Sequence, residues 1–299
     1  MQFKAKYHVL DAVNKSNVLM PVTGKNAAKL KRTLTTILYD FQMRCEEHGI
    51  TPFLVYGSAL GAVRHHGFIP WDDDIDVAMT RADWNKLKEI FKEVFSDKYD
   101  LEGPNYDDKD SFSAWGKVFL KNTRYVEIFN VETPYNKGAF IDVFIIDGLS
   151  DNLIVRKIDY VVARVMRFVA NSMPFYQYPN KIMTEVMSAT KGAKRYLKFR
   201  EFIGFCFSWV SHKRWLSWYD RFISRHTKSK YTIMNYDDAV TLRDAWFPVK
   251  KITFENILAN VPNDVEGYLR SAFGPSYMEL PPEDKREQHF CVELNLENT

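Results

Sequence analysis

Cysteine is scarce in this chain: Cys45, Cys206 and Cys291 are the only three among 299 residues. They are odd in number and far apart, which excludes a disulfide framework and the paired ligand spacing of a structural zinc site. Each reads as a small buried hydrophobe, and the usage suits a reducing cytoplasm. Long apolar runs are missing too. The longest strongly apolar stretch, residues 202–210, is too short to span a bilayer, and the opening MQFKAKYHVLD has no apolar core of signal-peptide length. A soluble or peripheral protein is expected. The absence of internal repeats and of low-complexity segments excludes a solenoid or a collagen-like array.

What is present points to a packed protein. The sequence is 46% hydrophobic and 15% aromatic, enough for a sizeable core in one large domain or in a domain with an insertion. Its net charge of +3 hides an asymmetry. Residues 153–230 carry sixteen Lys or Arg against four acids, Asp159, Glu185, Glu201 and Asp220, so that stretch is +12 and the remainder −9.

The charge that matters most is concentrated in residues 56–79, YGSALGAVRHHGFIPWDDDIDVAM, where Asp72, Asp73, Asp74 and Asp76 fall within five positions. Carboxylates this close stay in water, share protons or hold a cation, and oxygen ligands select hard cations such as magnesium, manganese or calcium. Alternation puts Asp74, Asp76 and Ala78 on one face of an expected strand and Ile75, Val77 and Met79 on the other.

The flanking elements are legible. Leu30, Leu34, Ile37, Leu38, Phe41 and Cys45 recur at helical spacing within residues 26–45. Phe53 to Tyr56 read as a short buried strand entering a turn at Gly57 and Ser58, which is either an anion-binding cradle or a plain change of direction. Thr80 and Asp83 form a capping pair for a helix that buries Trp84, Leu87, Phe91 and Val94. Residues 113–120 and 123–130 read as a hairpin around Lys121 and Asn122, and residues 139–146 as an apolar strand interrupted by Asp142. That acid is either a hydrogen-bonded structural group or a third carboxylate facing the same cation.

From residue 153 to about 230 the pattern is helical. Ile158, Val161, Val162, Val165 and Val169, then Phe202, Phe205, Trp209, Trp215, Trp218 and Phe222, form apolar stripes flanked by basic residues. Helix cores with a solvated basic face are the expected reading, with an interfacial surface for anionic lipid as the competitor. Trp246, Phe247 and Pro248 with Ile252, Thr253 and Phe254 suggest a short hairpin, and a helix runs from Asp264 to Phe273 before Gly274 and Pro275.

Chemically, two alternating acids and a third from a neighbouring strand can hold one or two hard divalent cations that clamp phosphate oxygens. An EF-hand is excluded because DDDIDVAMTRAD lacks the central glycine, and same-face neighbours do not flank a sugar as glycosidase carboxylates do. His65 and His66 are adjacent and point apart, against a zinc site.

GSALGAVRHHGFIPWDDDIDVAM, together with KVFLKNTR, FIDVFIIDGL and FPVKKITFENILANVPNDVEGYLRSAFGPSYMELPPEDKREQH in that order, resembles the LicD family. These are bacterial phosphocholine transferases that share this region with fukutin-type enzymes. The resemblance covers both ends of the chain and leaves the basic stretch unmatched. It implies an α/β (α+β) fold with a nucleotidyltransferase-like mixed sheet over residues 22–150, a basic helical insertion over 151–230, and a C-terminal segment, 231–299, returning to the core. It also implies Asp74, Asp76 and Asp142 as metal ligands and catalytic carboxylates for Mg2+ or Mn2+. Gly57 and Ser58 match the family's glycine turn, Arg64 its basic residue, and Lys117 a phosphate contact.

The expected activity moves a phosphorylated alcohol, phosphocholine from CDP-choline foremost, onto a sugar hydroxyl of a glycan or its lipid-linked precursor. The rivals are transfer of a nucleoside monophosphate and a non-catalytic accessory role at the membrane. No readout motif for specific nucleic-acid binding is present. Asp72 and Asp73 have no assigned role, and strict alternation puts Asp147, five residues after Asp142, on the other face of its strand, where a helix or loop cap is the expectation.

Overall fold

The computed structural model describes residues 19–107, 111, 113–234, 239–283, 286 and 290–296. Its elements in chain order are β1 (Met20–Pro21), α1 (Gly24–Glu47), β2 (Phe53–Leu54), α2 (Tyr56–His65), β3 (Asp76–Thr80), α3 (Arg81–Val94), β4 (Tyr99–Glu102), β5 (Gly116–Leu120), β6 (Arg124–Glu127) and β7 (Phe140–Leu149). Five helices follow, α4 (Leu153–Ala170), α5 (Met173–Gln177), α6 (Lys181–Ser188), α7 (Lys191–Phe207) and α8 (His212–Ile223). Then come β8 (Tyr231–Met234), β9 (Val240–Leu242), β10 (Lys250–Phe254), β11 (Ile257–Val261), α9 (Val265–Phe273) and β12 (Phe290–Asn295). This is a mixed α+β fold, as the sequence implies.

The main sheet has the order β2-β3-β7-β5-β4, with β8 also on β7 and β9 on β8. Strand β7 is its spine: β3 runs parallel to it, and β5 and β8 pair with it antiparallel at residues 140–143 and 146–149. The alternation of β7 explains its position, since both faces carry large apolar residues and burial is nearly continuous. Ile141, Val143, Ile145 and Asp147 face the α3 side, where the Trp84 ring lies against Gly103 and Gly116, whose missing Cβ atoms make room for it. Phe140, Asp142 and Phe144 face the opposite way.

Helix α1 buries the expected stripe, including Leu30, Leu34, Ile37, Phe41 and Cys45. Thr80 caps α3, its Oγ1 accepting from the Asp83 amide at 3.1 Å, and Asp264 caps α9 through the Gly267 amide at 3.0 Å.

Several expectations are corrected. The strand entering at Phe53 is two residues long, and Tyr56 already begins α2 with a positive φ of 46°. Strand β3 opens at Asp76, where its parallel pairing with β7 begins at Asp142; Asp74 lies in the lead-in. The expected hairpin at Lys121 and Asn122 does not form. Asn122 adopts φ 61°, and β6 leaves for a separate antiparallel sheet with β12 and β1. A turn signal cannot reveal a partner 164 or more residues away. The C-terminal hairpin is β10–β11 rather than one that includes Trp246, whose indole is buried and donates to Thr232 Oγ1 at 2.8 Å.

The helical stretch departs most from expectation. Ile158, Val161 and Val165 are exposed, as are Phe202, Phe205, Trp209 and Trp218, whereas Val169 is buried and Trp215 and Phe222 pack against a buried cluster, so the stripes form helix cores only in part. Helix α4 instead turns Asp159, Ala163, Arg167, Val169 and Ala170 inward. The small side chains let α8 approach, and Asp159 is neutralised by Arg225 at 2.7 Å and hydrogen-bonded to His226 at 2.9 Å. Cys206, on the same outward face of α7, is exposed, whereas Cys45 and Cys291 are buried as expected.

Candidate active site

The site is built by strand register. Asp76 on β3 is the parallel partner of Asp142 on β7, and Lys117 on β5 is the antiparallel partner of the same Asp142. Cross-strand partners project from one face of a sheet, so three adjacent strands supply a row of two carboxylates and an ammonium. The Lys117 Nζ lies 3.1 Å from Asp142 Oδ1 and 3.5 Å from Glu127 Oε2, and 3.4 Å over the Phe140 ring. The Trp115 indole, two residues earlier, donates to the same Asp142 Oδ1 at 2.6 Å. Both donors converge on Oδ1, and Oδ2 is the oxygen that keeps its capacity to accept.

Burial sets the protonation. It is the largest influence on Asp142, whose carboxyl is pushed up to about 6 against the pull of Lys117. Asp76 stands well above the usual carboxylate range, first through burial and then through Asp74, Asp142 and Asp72. Burial works against the charge of Lys117, but Asp142 and Glu127 outweigh it and hold its ammonium above its ordinary value.

The acidic segment divides. Asp72 and Asp74 act on Asp76 through charge, whereas Asp73 is buried and accepts from the Tyr125 hydroxyl at 3.4 Å. Gly57 is what lets the segment close on α2: a Cβ there would lie 2.7 Å from Asp72 Oδ2. Ser58 is buried, and its Oγ accepts from the Asp76 amide at 2.9 Å, fixing the start of β3 against the start of α2. The Tyr268 hydroxyl accepts from the Tyr56 amide at 2.9 Å, and Gly57 and Ser58 contribute first-turn amides, which have no intrahelical acceptor.

Arg64 is engaged elsewhere, donating to the carbonyls of Tyr277 at 2.8 Å and Glu279 at 3.1 Å. Asp147 belongs to the other face of β7, where Arg81 holds it at 2.6 Å and Asp220 at 2.7 Å. Sequence reasoning missed Trp115, Glu127, Lys31 and Tyr268. Trp115 was within reach, sharing the parity of Lys117 on one strand. Lys31, which donates to the Ile69 and Pro70 carbonyls at 3.2 and 3.1 Å beside the acidic segment, carries no local signal.

Residues 49–158, which contain the whole row, match the family described as LicD/FKTN/FKRP, nucleotidyltransferase domain. Over that segment the chain is similar to LicD-family proteins. Among similar proteins, the lipopolysaccharide cholinephosphotransferase LicD of Haemophilus influenzae is 33% identical over 113 residues, 38% of this chain and 41% of that protein. An uncharacterized protein of Rickettsia prowazekii is 33% identical over 69 residues, 23% of this chain and 24% of its own length. The match thus spans less than half of either relative. Within the matched segment, the all-oxygen donors around Asp76 suit a hard divalent cation, and the like-charge pressure on Asp76 is what such an ion would relieve. Among the described residues no three acidic, histidine or cysteine side chains are already arranged around one point, Asp142 being drawn toward Lys117 and Trp115.

Proposed function

We propose that this protein is a divalent-cation-dependent phosphotransferase. It moves the phosphorylated alcohol of a CDP-alcohol, phosphocholine foremost, onto a sugar hydroxyl of a cell-surface glycan or its lipid-linked precursor. The observation that carries this reading is the row Asp76, Asp142 and Lys117 within a LicD-family segment. In the reaction the acceptor oxygen forms a bond to the phosphorus that bears the alcohol. The bond from that phosphorus to CMP breaks, CMP leaves, and the hydroxyl proton passes to Asp142.

Asp142 suits the proton's destination. With a pKa of about 6 it is ionised at neutral pH yet holds a proton more tightly than an ordinary aspartate, the compromise a general base requires. Trp115 and Lys117 fix its Oδ1 and so aim Oδ2. Asp74 and Asp76 are the carboxylates left to hold Mg2+ or Mn2+, which when bound offsets the charge of the diphosphate and of the departing CMP. The first-turn amides of Gly57 and Ser58 supply donors for a phosphate oxygen.

Product analysis tests the reading. With CDP-choline, Mg2+ and a glycan acceptor, free CMP and phosphocholine-bearing acceptor are expected. Nucleotide attached to the acceptor would instead establish nucleotidyl transfer, and failure to bind any CDP-alcohol would leave an accessory role. A thermal-shift panel of CDP-choline, CDP-ribitol and CDP-glycerol then selects the donor.

A further inference from the structure

Helix α7 has an outward face of two halves. Lys191, Lys194, Arg195 and Lys198 are exposed along its first two turns, and Phe202 and Phe205 continue the same face, with Trp209 just beyond the helix end. At 3.6 residues per turn the six within the helix fall in an arc of about 100°. Trp209 is 75% exposed, Phe202 59% and Phe205 58%. Helix α4 adds a second apolar strip, Ile154, Ile158, Val161 and Val165, at the i, i+4, i+7, i+11 spacing of one exposed face. Phe168 of α4 and Phe199 of α7 meet at 5.9 Å between ring centroids, so the two helices are neighbours.

The charge around these strips is of one sign. Of the sixteen Lys and Arg in residues 153–230, twelve are exposed, whereas two of the four acids, Asp159 and Asp220, are buried and paired internally with Arg225 and Arg81. Glu185 is the one acid of the stretch that is fully exposed. A solvated helix face has no use for large apolar side chains, and a protein partner's core would not accommodate an unbalanced cationic rim.

We propose that the outward face of α4 and α7 seats this protein on an anionic bilayer surface. The aromatic half of α7 and the aliphatic strip of α4 enter the boundary between headgroups and acyl chains, and the basic half of α7 meets lipid phosphates. No helix among the described residues is long and apolar enough to cross a membrane, so the contact is parallel to the surface. The inference is independent of the catalytic reading, because it concerns binding without turnover.

Cys206 provides the probe, since it is exposed next to Phe205 while Cys45 and Cys291 are buried. The full chain, labelled at Cys206 with an environment-sensitive fluorophore, is mixed with phosphatidylcholine vesicles with or without about 30% phosphatidylglycerol. A blue shift and co-sedimentation with the anionic vesicles alone are expected, reversed in part by about 0.5 M salt. Combined charge reversal, Lys194→Glu, Arg195→Glu and Lys198→Glu, should weaken binding at least about tenfold. The pair Phe202→Glu and Phe205→Glu should abolish it without changing the far-ultraviolet circular dichroism, these side chains being exposed. The idea fails if vesicles at low salt leave the label unshifted, or if both variants bind as the parent does. A dimer dispersed by Phe202→Glu and Phe205→Glu, with no vesicle binding, would also overturn it by showing that a second copy covers the face.

Discussion

A half-buried carboxylate pressed by three others costs stability when it ionises, and Asp76 is placed in that position. Its native pKa stands above the value of an unfolded aspartate, about 3.9. The native form therefore holds this proton more tightly than the unfolded chain does. The associated stability is full below the unfolded value and is lost as pH rises through the native one. Asp76→Asn removes the penalty, and its expected effect in the absence of divalent ions is a higher thermal midpoint at neutral pH. Mg2+ should raise the midpoint of the parent and leave that of the variant unchanged; differential scanning calorimetry with and without Mg2+ reads both. Asp142 makes the complementary prediction. With its ionised form as the proposed base, turnover should be constant above about pH 6 and fall below it. Lys117 lowers that value, and Lys117→Met should move the acid limb of the pH–rate profile to higher pH. Trp115→Phe should move it the same way by less. An unmoved limb in Lys117→Met would show that Asp142 is not the titrating group.

Strand β7 carries two acids five residues apart, and their opposite parity gives them opposite work. Asp142 faces the candidate active site, and Asp147 faces α3 and α8, where Arg81 bridges it to Asp220 and Asn105 donates to Asp220 at 2.5 Å. This buried cluster ties the helical stretch to the sheet. Arg81→Met leaves two buried carboxylates without their cation and should destabilise the protein by about 3–5 kcal/mol, read as a lowered midpoint in urea. The same strand marks what a sequence can disclose. Local periodicity was enough for α1, α3 with its Thr80 cap, β7 and α9, because each buries a regular stripe. Parity also separated Asp142 from Asp147. The partners of β6 lay out of reach, since β12 is distant in sequence, and so did the late start of β3, which is set by pairing with β7 rather than by its own pattern. Glu127 went unassigned for this reason: it meets Lys117 across two sheets, a contact that no local pattern discloses.

At the scale of the whole molecule, a small net charge conceals a division of labour. The acid-rich sheet end gathers Asp72, Asp74, Asp76 and Asp142, while the exposed positive charge collects on α7, on α8 and just after α8. Composition revealed that asymmetry but not its orientation. The stripes of α4 and α7 read as buried because helical periodicity states which residues share a face and not which way the face points. Long-range attraction between an acidic site and a phosphate-bearing donor requires a counter-charge, and the account assigns it to a divalent cation beside Lys117. The most direct measurement of that claim is Mg2+-dependent release of CMP from CDP-choline in the presence of a glycan acceptor, for the parent and for Asp76→Asn at matched folded concentration. The account predicts CMP release by the parent, abolished by chelation and reduced at least about a thousandfold in the variant. Turnover by Asp76→Asn at the parental rate in ordinary Mg2+ would contradict it.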